Sequence, residues 1–183
     1  MRSNAVRIEA EQTSHEAFGD VYRQHFVHVW HTLRRYGVRE RDLEDVAHDT
    51  FIVAHQRLHT FDRERPIRPW LSGIAWRMAS DYRRRARYRL EVVGHAKEPM
   101  SGQRGPEAAA ITSQAQRQVA VALEELSEEQ RVVFIMKEID GFSVPEIAEA
   151  LELPLNTLYS RLRLGRARFR QVVLSKSSEG DES

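Results

Sequence analysis

The sequence predicts an all-α protein made of two small helical domains joined by a flexible linker, with the second domain ending in a helix-turn-helix. Apolar residues recur at helical spacing over long stretches in both halves of the chain. Between the halves, residues 90–105 lose this periodicity and contain glycine, serine and proline, which is typical of a linker. Near the end, two helical patterns flank a turn at Pro154, a residue that cannot continue a helix. We therefore assign the domains to residues 15–89 and 106–174.

Three helices are predicted for the first domain. The first covers residues 16–36 and ends at Gly37, whereas residues before Ser14 have no clear pattern and are expected to be mobile. The second covers residues 41–59, and the acidic residues near its start favour the helix dipole. The third has Pro69 in its first turn and runs into an arginine cluster at 83–89. Three helices of this size can bury a core of their own.

Capping signals divide the second domain into about four helices. Ser127 followed by Gln130, and Ser143 followed by Glu146, each have the spacing of a capping box, in which serine and the longer side chain satisfy free backbone amides. The helix between these boxes is strongly apolar and ends at Gly141. The helix-turn-helix is therefore predicted as the last element of this domain.

The last helix carries the clearest functional signal. It has no acidic residue from 155 to 173. Its arginines are Arg161, Arg163, Arg166, Arg168 and Arg170. Two helices joined by a short turn, the second one basic, form the arrangement that lays a helix in the DNA major groove. Asn156 or Thr157 is predicted to cap this helix, and Glu152 stands where the turn usually has glycine, which requires a left-handed residue or a different turn.

A second basic surface follows the third helix of the first domain. The arginines at 83–89 suit phosphate, and Trp76, Tyr82 and Tyr88 could stack on exposed bases. The alternative is that the aromatic residues belong to the core and the arginines are solvated. We favour the core for Trp70, and nucleic acid for Trp76 and the arginines. The basic last helix has its own alternatives: a solvated surface helix, or one that binds a membrane or an acidic partner.

Several classes of function have little support. The chain has no cysteine, so it has no disulfide or thiolate metal site. His55 and His59 have a zinc-compatible spacing but no convincing third ligand, so neither metal nor cofactor is expected. The nearest candidate for a metal-dependent nuclease is an acidic cluster that lies along a helix start, comprising Asp42, Glu44, Asp45 and Asp49. No run of apolar residues is long enough to cross a bilayer. We expect a non-enzymatic cytoplasmic protein.

Both halves resemble the sigma-70 family of bacterial RNA polymerase initiation factors, specifically its small two-domain extracytoplasmic-function group. Residues 42–51 look like the family's polymerase-binding helix. Segments 61–63, 68–71, 74–77 and 81–85 look like its −10 reading region. Segments 126–134, 141–143, 146–148 and 157–162 look like its −35 domain. The order of these pieces and the linker between them make the combination specific.

The resemblance implies a role for each surface. The polymerase-binding residues would be Asp45, Asp49, Phe51 and Gln56. The residues that melt and hold the −10 element would be Phe61, Arg65, Trp76, Arg77, Tyr82, Arg83, Arg84 and Arg85. The residues that read the −35 duplex would be Thr157, Tyr159, Ser160, Arg161, Arg163, Arg166 and Arg168. Glu152, Asn156 and Leu164 depart from the family pattern and bear on the −35 sequence preference.

The same resemblance implies partners. Core RNA polymerase and promoter DNA are expected, together with an anti-sigma factor that holds the protein inactive. The alternative from the residues alone is a stand-alone helix-turn-helix regulator, which would bind a palindrome as a dimer without polymerase. Against it, the chain has an additional basic and aromatic helix and no obvious dimerisation helix.

Overall fold

A computed structural model describes residues 2–93 and 114–179, and the side chains of 18–88 and 118–175. These ranges contain helices and turns and no strand. The α-helices are α1 Arg2–Arg35, α2 Leu43–Arg57, α3 Ile67–Val93, α4 Gln114–Glu124, α5 Glu128–Phe134, α6 Val144–Leu151 and α7 Leu155–Glu179. Short 3-10 turns at Glu40–Asp42 and Leu58–Thr60 flank α2, and α5 continues as a π-helical turn at Ile135–Ile139. Most of the predicted linker lies outside the described residues, and the domain boundaries stay predictions.

The first helix is longer than its apolar pattern indicates. It begins at Arg2, whereas the spacing of its apolar residues predicts a start near residue 16, with mobile residues before Ser14. Residues 2–17 contain neither glycine nor proline and include several good helix formers, so the backbone can continue the helix without an apolar face. Apolar periodicity reports where a helix packs, not where its hydrogen bonding ends.

Helices α1, α2 and α3 pack against one another in pairs. Their shared core is apolar and includes Val29, Leu33, Leu43, Ala47, Phe51, Leu71, Ile74 and Ala75. An aromatic group closes one end, where the Phe51 ring lies 4.8 Å from Tyr22 and 6.3 Å from Phe18. Rings at these separations add attraction beyond the burial of their area. This packing fixes which faces of α2 and α3 point outwards.

Helices α4 to α7 form the second unit, in which α7 packs mainly on α5. The rings of Phe134 and Phe169 stack with centroids 4.6 Å apart, and Leu158 is fully buried. Gly165 lies on the side of α7 that faces α5, where a Cβ would be in ordinary van der Waals contact with Gln130, at 3.6 Å. The buried side of α7 is thus fixed, and its arginines project from the other sides.

The caps follow the sequence closely, with one exception. Both predicted capping boxes form, at Ser127 and at Ser143. Gly37 and Gly141 have positive φ, as expected of residues that end helices. The prediction that Asn156 or Thr157 caps the last helix is wrong, because α7 begins at Leu155. The carbonyl of the preceding proline accepts the amide of Leu158, so that proline opens the helix.

Glu152 makes the turn of the helix-turn-helix in a left-handed conformation, with φ 55° and ψ 45°. It is the only non-glycine residue with positive φ among those that the structure describes. The amide of Leu153 donates to the carbonyl of Ala148, which closes the turn after α6. Of the two possibilities that glutamate in place of the usual glycine left open, a left-handed residue or a different turn, the structure has the left-handed residue.

The two helical units touch each other where α3 crosses α6. Gly73 sits at the crossing, and a Cβ on it would lie 2.3 Å from the carbonyl oxygen of Ala150. Since a Cβ atom does not approach a carbonyl oxygen that closely, only glycine fits this crossing. The contact between α3 and α6 is therefore close backbone packing.

Candidate nucleic-acid interface

The outer face of α7 is exposed and basic. Tyr159 is 56% exposed, and Ser160 and Arg163 are exposed beside it. On the opposite side, Leu158 and Leu162 are buried against the rest of the unit. The helix thus presents a phenol, a hydroxyl and a guanidinium on a rigid support, which are donors and acceptors suited to base edges.

Two further arginines of α7 are held by carboxylates of their own unit. Arg166 donates to Glu138 Oε1 from Nε at 3.0 Å and from Nη2 at 2.6 Å. Arg168 Nη2 donates to Glu125 Oε2 at 2.7 Å. Both guanidinium groups stay exposed, so they can exchange a carboxylate for a phosphate oxygen. The other two predicted contact residues, Thr157 and Arg161, are half-buried.

The second candidate surface surrounds a cavity of about 310 Å³ between α3 and α6. Phe61 lies against Trp70 with ring centroids 4.9 Å apart, and both line the cavity. Arg65 and Arg77 stand at its rim. An aromatic floor with cationic edges can hold a stacked base and its phosphates.

The arginines at the rim are already paired. Arg77 Nη2 donates to Glu152 Oε1 at 2.7 Å. Arg65 pairs with Asp62 at 3.0 Å and also contacts Glu149 of α6. The partners on α6 are carboxylates, which are chemically similar to phosphate as acceptors. No local pattern in the sequence indicates that α6 would supply them.

Further along α3, Trp76 and Tyr82, two of the aromatic residues predicted to contact DNA, are half-buried, whereas Tyr88 is exposed. The Trp76 ring meets Tyr36 edge to face with centroids 5.5 Å apart. The Tyr82 hydroxyl donates to Asp42 Oδ2 at 2.5 Å. Burial raises the pKa of Tyr82, and the bond to Asp42 raises it further. In this arrangement the two side chains join α3 to Tyr36, directly after α1, and to the 3-10 turn at Glu40–Asp42.

Arg83 is placed differently from its prediction as a DNA contact. Its side chain is only 2% exposed, and it donates to the carbonyl of Tyr36 and to Glu128 Oε2. Its guanidinium also lies 4.9 Å from the centre of the Trp76 ring. The burial that raises the pKa of Glu128 is outweighed by the hydrogen bond and charge of Arg83, so that pKa falls. With the two units in contact, Arg83 cannot reach DNA, whereas Arg84 and Arg85 are exposed.

The outer face of α2 differs from its prediction at one residue. Asp45, Asp49 and Gln56 are exposed, as a partner-binding face requires. Phe51 is 2% exposed and belongs to the aromatic core, so it supports the helix and does not reach a partner. The exposed apolar residue is Ile52, at 56%. Its spacing of seven from Asp45 puts it on the acidic face and could have identified it.

The two histidines with a zinc-compatible spacing each contact a neighbouring group. No group of three or more potential metal-ligating side chains is found among the residues that the structure describes. His55 packs its ring against Phe18, with centroids 4.7 Å apart. His59 Nδ1 lies 2.9 Å from the carbonyl of Gln56. Among the same residues, no helix is both long and apolar enough to span a bilayer.

One histidine links α1 to α3. Arg68 Nη2 donates to His28 Nδ1 at 3.1 Å, so the opposite ring nitrogen carries the proton and donates to Ser72 Oγ at 3.0 Å. The ring also meets Phe142 edge to face. Burial, and then the Arg68 charge, lower the pKa of His28 to about 4.

This pairing predicts loss of stability in mild acid. Below pH 6.5 the unfolded chain takes up a proton at His28 that the folded chain resists until about pH 4, so stability falls as the pH drops through this window. We expect His28 to account for about 1–2 kcal/mol of loss between pH 7.5 and pH 5. Urea unfolding of wild type and His28→Gln at both pH values measures this difference, because glutamine keeps both hydrogen bonds without titrating. The exposed His59→Gln should leave the wild-type loss unchanged, and an equal loss in His28→Gln would contradict the assignment.

Both helical units match regions of one known protein family. Residues 21–89 match sigma-70 region 2, and residues 116–169 match sigma-70 region 4. The RNA polymerase sigma factor CnrH of Cupriavidus metallidurans is 31% identical, over 96% of this chain and 97% of its own. The ECF RNA polymerase sigma factor SigL of Mycobacterium tuberculosis is also 31% identical, over 78% of this chain and 80% of its own.

Two solved structures share the fold. CnrH in complex with the cytosolic domain of CnrY superposes with a TM-score of 0.64 at 30% identity, covering 92% of this chain and 97% of that one. The sigma factor RpoE of Bartonella quintana, in complex with the anti-sigma factor NepR, superposes with a TM-score of 0.70 at 23% identity, covering 86% and 97%. Regions 2 and 4 thus contain the surfaces described above: the acidic α2, the cavity with arginines at its edge and the basic helix-turn-helix. The chain belongs to the extracytoplasmic-function group of the sigma-70 family of RNA polymerase sigma factors.

Proposed function

We propose that this protein binds core RNA polymerase and directs transcription from promoters whose −10 and −35 elements it reads itself. One observation carries the proposal: two separate helical units each present a cationic surface suited to DNA, and each unit matches a different sigma-70 region. A single helix-turn-helix module would need only one of them. The first unit also has an exposed acidic face on α2, which suits a protein partner and which a stand-alone regulator would not need.

The two cationic surfaces suit different forms of DNA. The exposed face of α7, with Tyr159, Ser160 and Arg163, suits duplex DNA in the major groove. The cavity floored by Phe61 and Trp70 suits an unstacked base of the melted −10 strand. No step in this role forms or breaks a covalent bond in this chain, so we assign it no catalytic activity.

The outer face of α2 is the proposed polymerase-binding surface. Asp45, Asp49 and Gln56 are exposed around the apolar Ile52. An apolar anchor within an acidic rim suits a basic helical partner, since the rim steers and orients the approach while the anchor is buried. RNA polymerase works in the bacterial cytoplasm, and we place this protein there.

Control by an anti-sigma factor is part of the proposal. Exposed leucines on α7, namely Leu155, Leu164 and Leu174, offer apolar area to a partner. The relative CnrH has been solved with the cytosolic domain of CnrY bound. A partner that covers α7 would block access to the −35 element.

Run-off transcription tests the proposal. Bacterial core RNA polymerase is incubated with a pool of genomic promoter fragments from the source organism, with and without this protein. We expect discrete transcripts only when the protein is present, and their start sites locate the two promoter elements. An absence of protein-dependent transcripts, together with tight binding to duplex DNA without polymerase, would instead support a stand-alone regulator.

A further inference from the structure

The side chain of Asn156 has no role in holding the fold together. Asn156 is the second residue of α7 and is exposed. It does not cap the helix, because α7 begins at Leu155 and the carbonyl of Pro154 accepts the amide of Leu158. Among the residues that the structure describes, none forms a hydrogen bond with the Asn156 carboxamide. Its donor and its acceptor are therefore both available to a partner outside the chain.

Asn156 begins a polar line along the outer side of α7. Ser160 and Arg163 complete the line, since residues spaced by four and then three positions lie on one side of a helix. All three residues are exposed, whereas Leu158 and Leu162 are buried on the opposite side. The buried leucines hold α7 on its own unit, so the backbone that carries the line is fixed. Asn156 thus extends the proposed −35 reading surface by one helical turn.

Arg163 differs from the arginines that follow it on α7. Arg166 and Arg168 are held by carboxylates of their own unit. In the part of the chain that the structure describes, no carboxylate pairs with Arg163. The line therefore has two planar polar groups, at Asn156 and Arg163, whose hydrogen-bonding atoms are not engaged by the protein.

The two planar groups match different bases. A carboxamide presents a donor and an acceptor side by side, which fit N7 and the N6 amino group of adenine in the major groove. A guanidinium presents parallel donors, which fit O6 and N7 of guanine. The hydroxyl of Ser160 can donate or accept, so it selects no single base. Asn156 and Arg163 are therefore the members of the line that can specify a sequence.

The length of the line sets the distance between the two bases. Seven residues of α-helix from Asn156 to Arg163 rise by about 10.5 Å. Successive bases of one strand are about 3.4 Å apart along the duplex axis, so this rise corresponds to about three base pairs for a helix that follows the groove. In a helix-turn-helix, the first turns of the second helix are the part that contacts base edges, and both residues lie there.

We propose that Asn156 is a specificity-determining residue, which pairs with an adenine of the −35 duplex while Arg163 pairs with a guanine about three base pairs away. This rests on the proposed function, since it names the bases that the −35 reading surface selects. The alternative for Asn156 is a hydrogen bond to phosphate, which would position α7 without selecting a base.

Holoenzyme made from core RNA polymerase and this protein tests the assignment. A promoter located by run-off transcription is prepared with each −35 base pair replaced in turn by the three others. The templates compete in one mixture, and the DNA bound to holoenzyme is recovered and sequenced. The preference for a base is the ratio between bound templates that differ at that position alone, so a change in overall affinity cancels.

Wild type should prefer adenine at one position, and guanine about three base pairs away, each by at least about fivefold. Asn156→Ala should reduce the adenine preference to within about twofold and leave the guanine preference unchanged, and Arg163→Ala should do the reverse. Asn156→Asp keeps the size of the side chain but offers only acceptors, so it should also lose the adenine preference. Gln171→Ala is the control, because it removes an exposed carboxamide from a later turn of α7, where its contact is with Arg168. It should change neither preference.

The outcomes separate the base assignment from the sigma-factor role. An adenine preference that survives in Asn156→Ala and Asn156→Asp would overturn the assignment while protein-dependent transcription still stood. An equal loss of binding for all templates, with every preference intact, would show a phosphate contact and overturn it too. If Asn156→Ala does not fold, Asn156→Asp decides in the same way. If wild-type protein gives no promoter-dependent transcript, the sigma-factor role fails first, and the base assignment falls with it.

Discussion

Leu158→Ala is expected to lower the free energy of unfolding by about 3 kcal/mol, whereas Tyr159→Ala should change it by less than about 0.5 kcal/mol. Leu158 is fully buried where α7 packs on its own unit, so its truncation leaves a cavity. Tyr159 is its neighbour in sequence and is 56% exposed. Two adjacent residues of α7 thus differ in role, since Leu158 stabilises the fold and Tyr159 belongs to the proposed DNA-reading surface.

Promoter binding should respond in the opposite order at a temperature where both variants are folded. Removing the Tyr159 ring from the base edges should weaken binding to −35 duplex by about 1–2 kcal/mol, or roughly tenfold. Leu158→Ala should bind normally once corrected for its unfolded fraction. Urea unfolding and fluorescence anisotropy on the same preparations measure both quantities. Normal −35 binding by Tyr159→Ala would remove it from the proposed reading surface.

The parts of the fold that depend on near neighbours in sequence could be predicted. The capping boxes at Ser127 and Ser143 need only residues three apart, and Gly37 and Gly141 end helices for a local steric reason. At Glu152 the same reasoning leaves two possibilities, a left-handed residue or a different turn, and the structure has the first. Helix α1 extends beyond its apolar pattern because its first half satisfies the backbone hydrogen bonds without an apolar stripe.

Other features depend on tertiary contacts that periodicity does not encode. An apolar residue on an amphipathic helix can face the core or a partner, and Phe51 faces the core while Ile52 faces out. Arg83 belongs to a basic run typical of a surface, yet the carbonyl of Tyr36 and the carboxylate of Glu128 draw it inwards. The contact of Gly73 with α6 joins residues far apart in sequence, so no local pattern could reveal it.

The second large effect is expected at the acidic face of α2. Asp49→Arg should weaken binding to core RNA polymerase by about 2 kcal/mol, or roughly thirtyfold, because it places a like charge against a basic partner. Ile52→Ala should cost about 1–2 kcal/mol of binding through loss of the apolar anchor. Both residues are exposed, so the free energy of unfolding should stay within about 0.5 kcal/mol of wild type.

The same face distinguishes a sigma factor from a DNA-binding protein that works alone. If α2 docks on polymerase, Asp49→Arg loses protein-dependent transcription while its affinity for isolated −35 duplex is unchanged, since α7 lies on the other unit. Glu129→Lys reverses a charge on that other unit and should leave polymerase binding at the wild-type value.

Phe51→Leu completes the set: it perturbs the aromatic core beneath α2, so it should lower stability and leave the exposed face intact. Wild-type polymerase affinity in both Asp49→Arg and Ile52→Ala would show that the docking surface lies elsewhere. An equal loss in Glu129→Lys would show that the effect is one of net charge and not of this face.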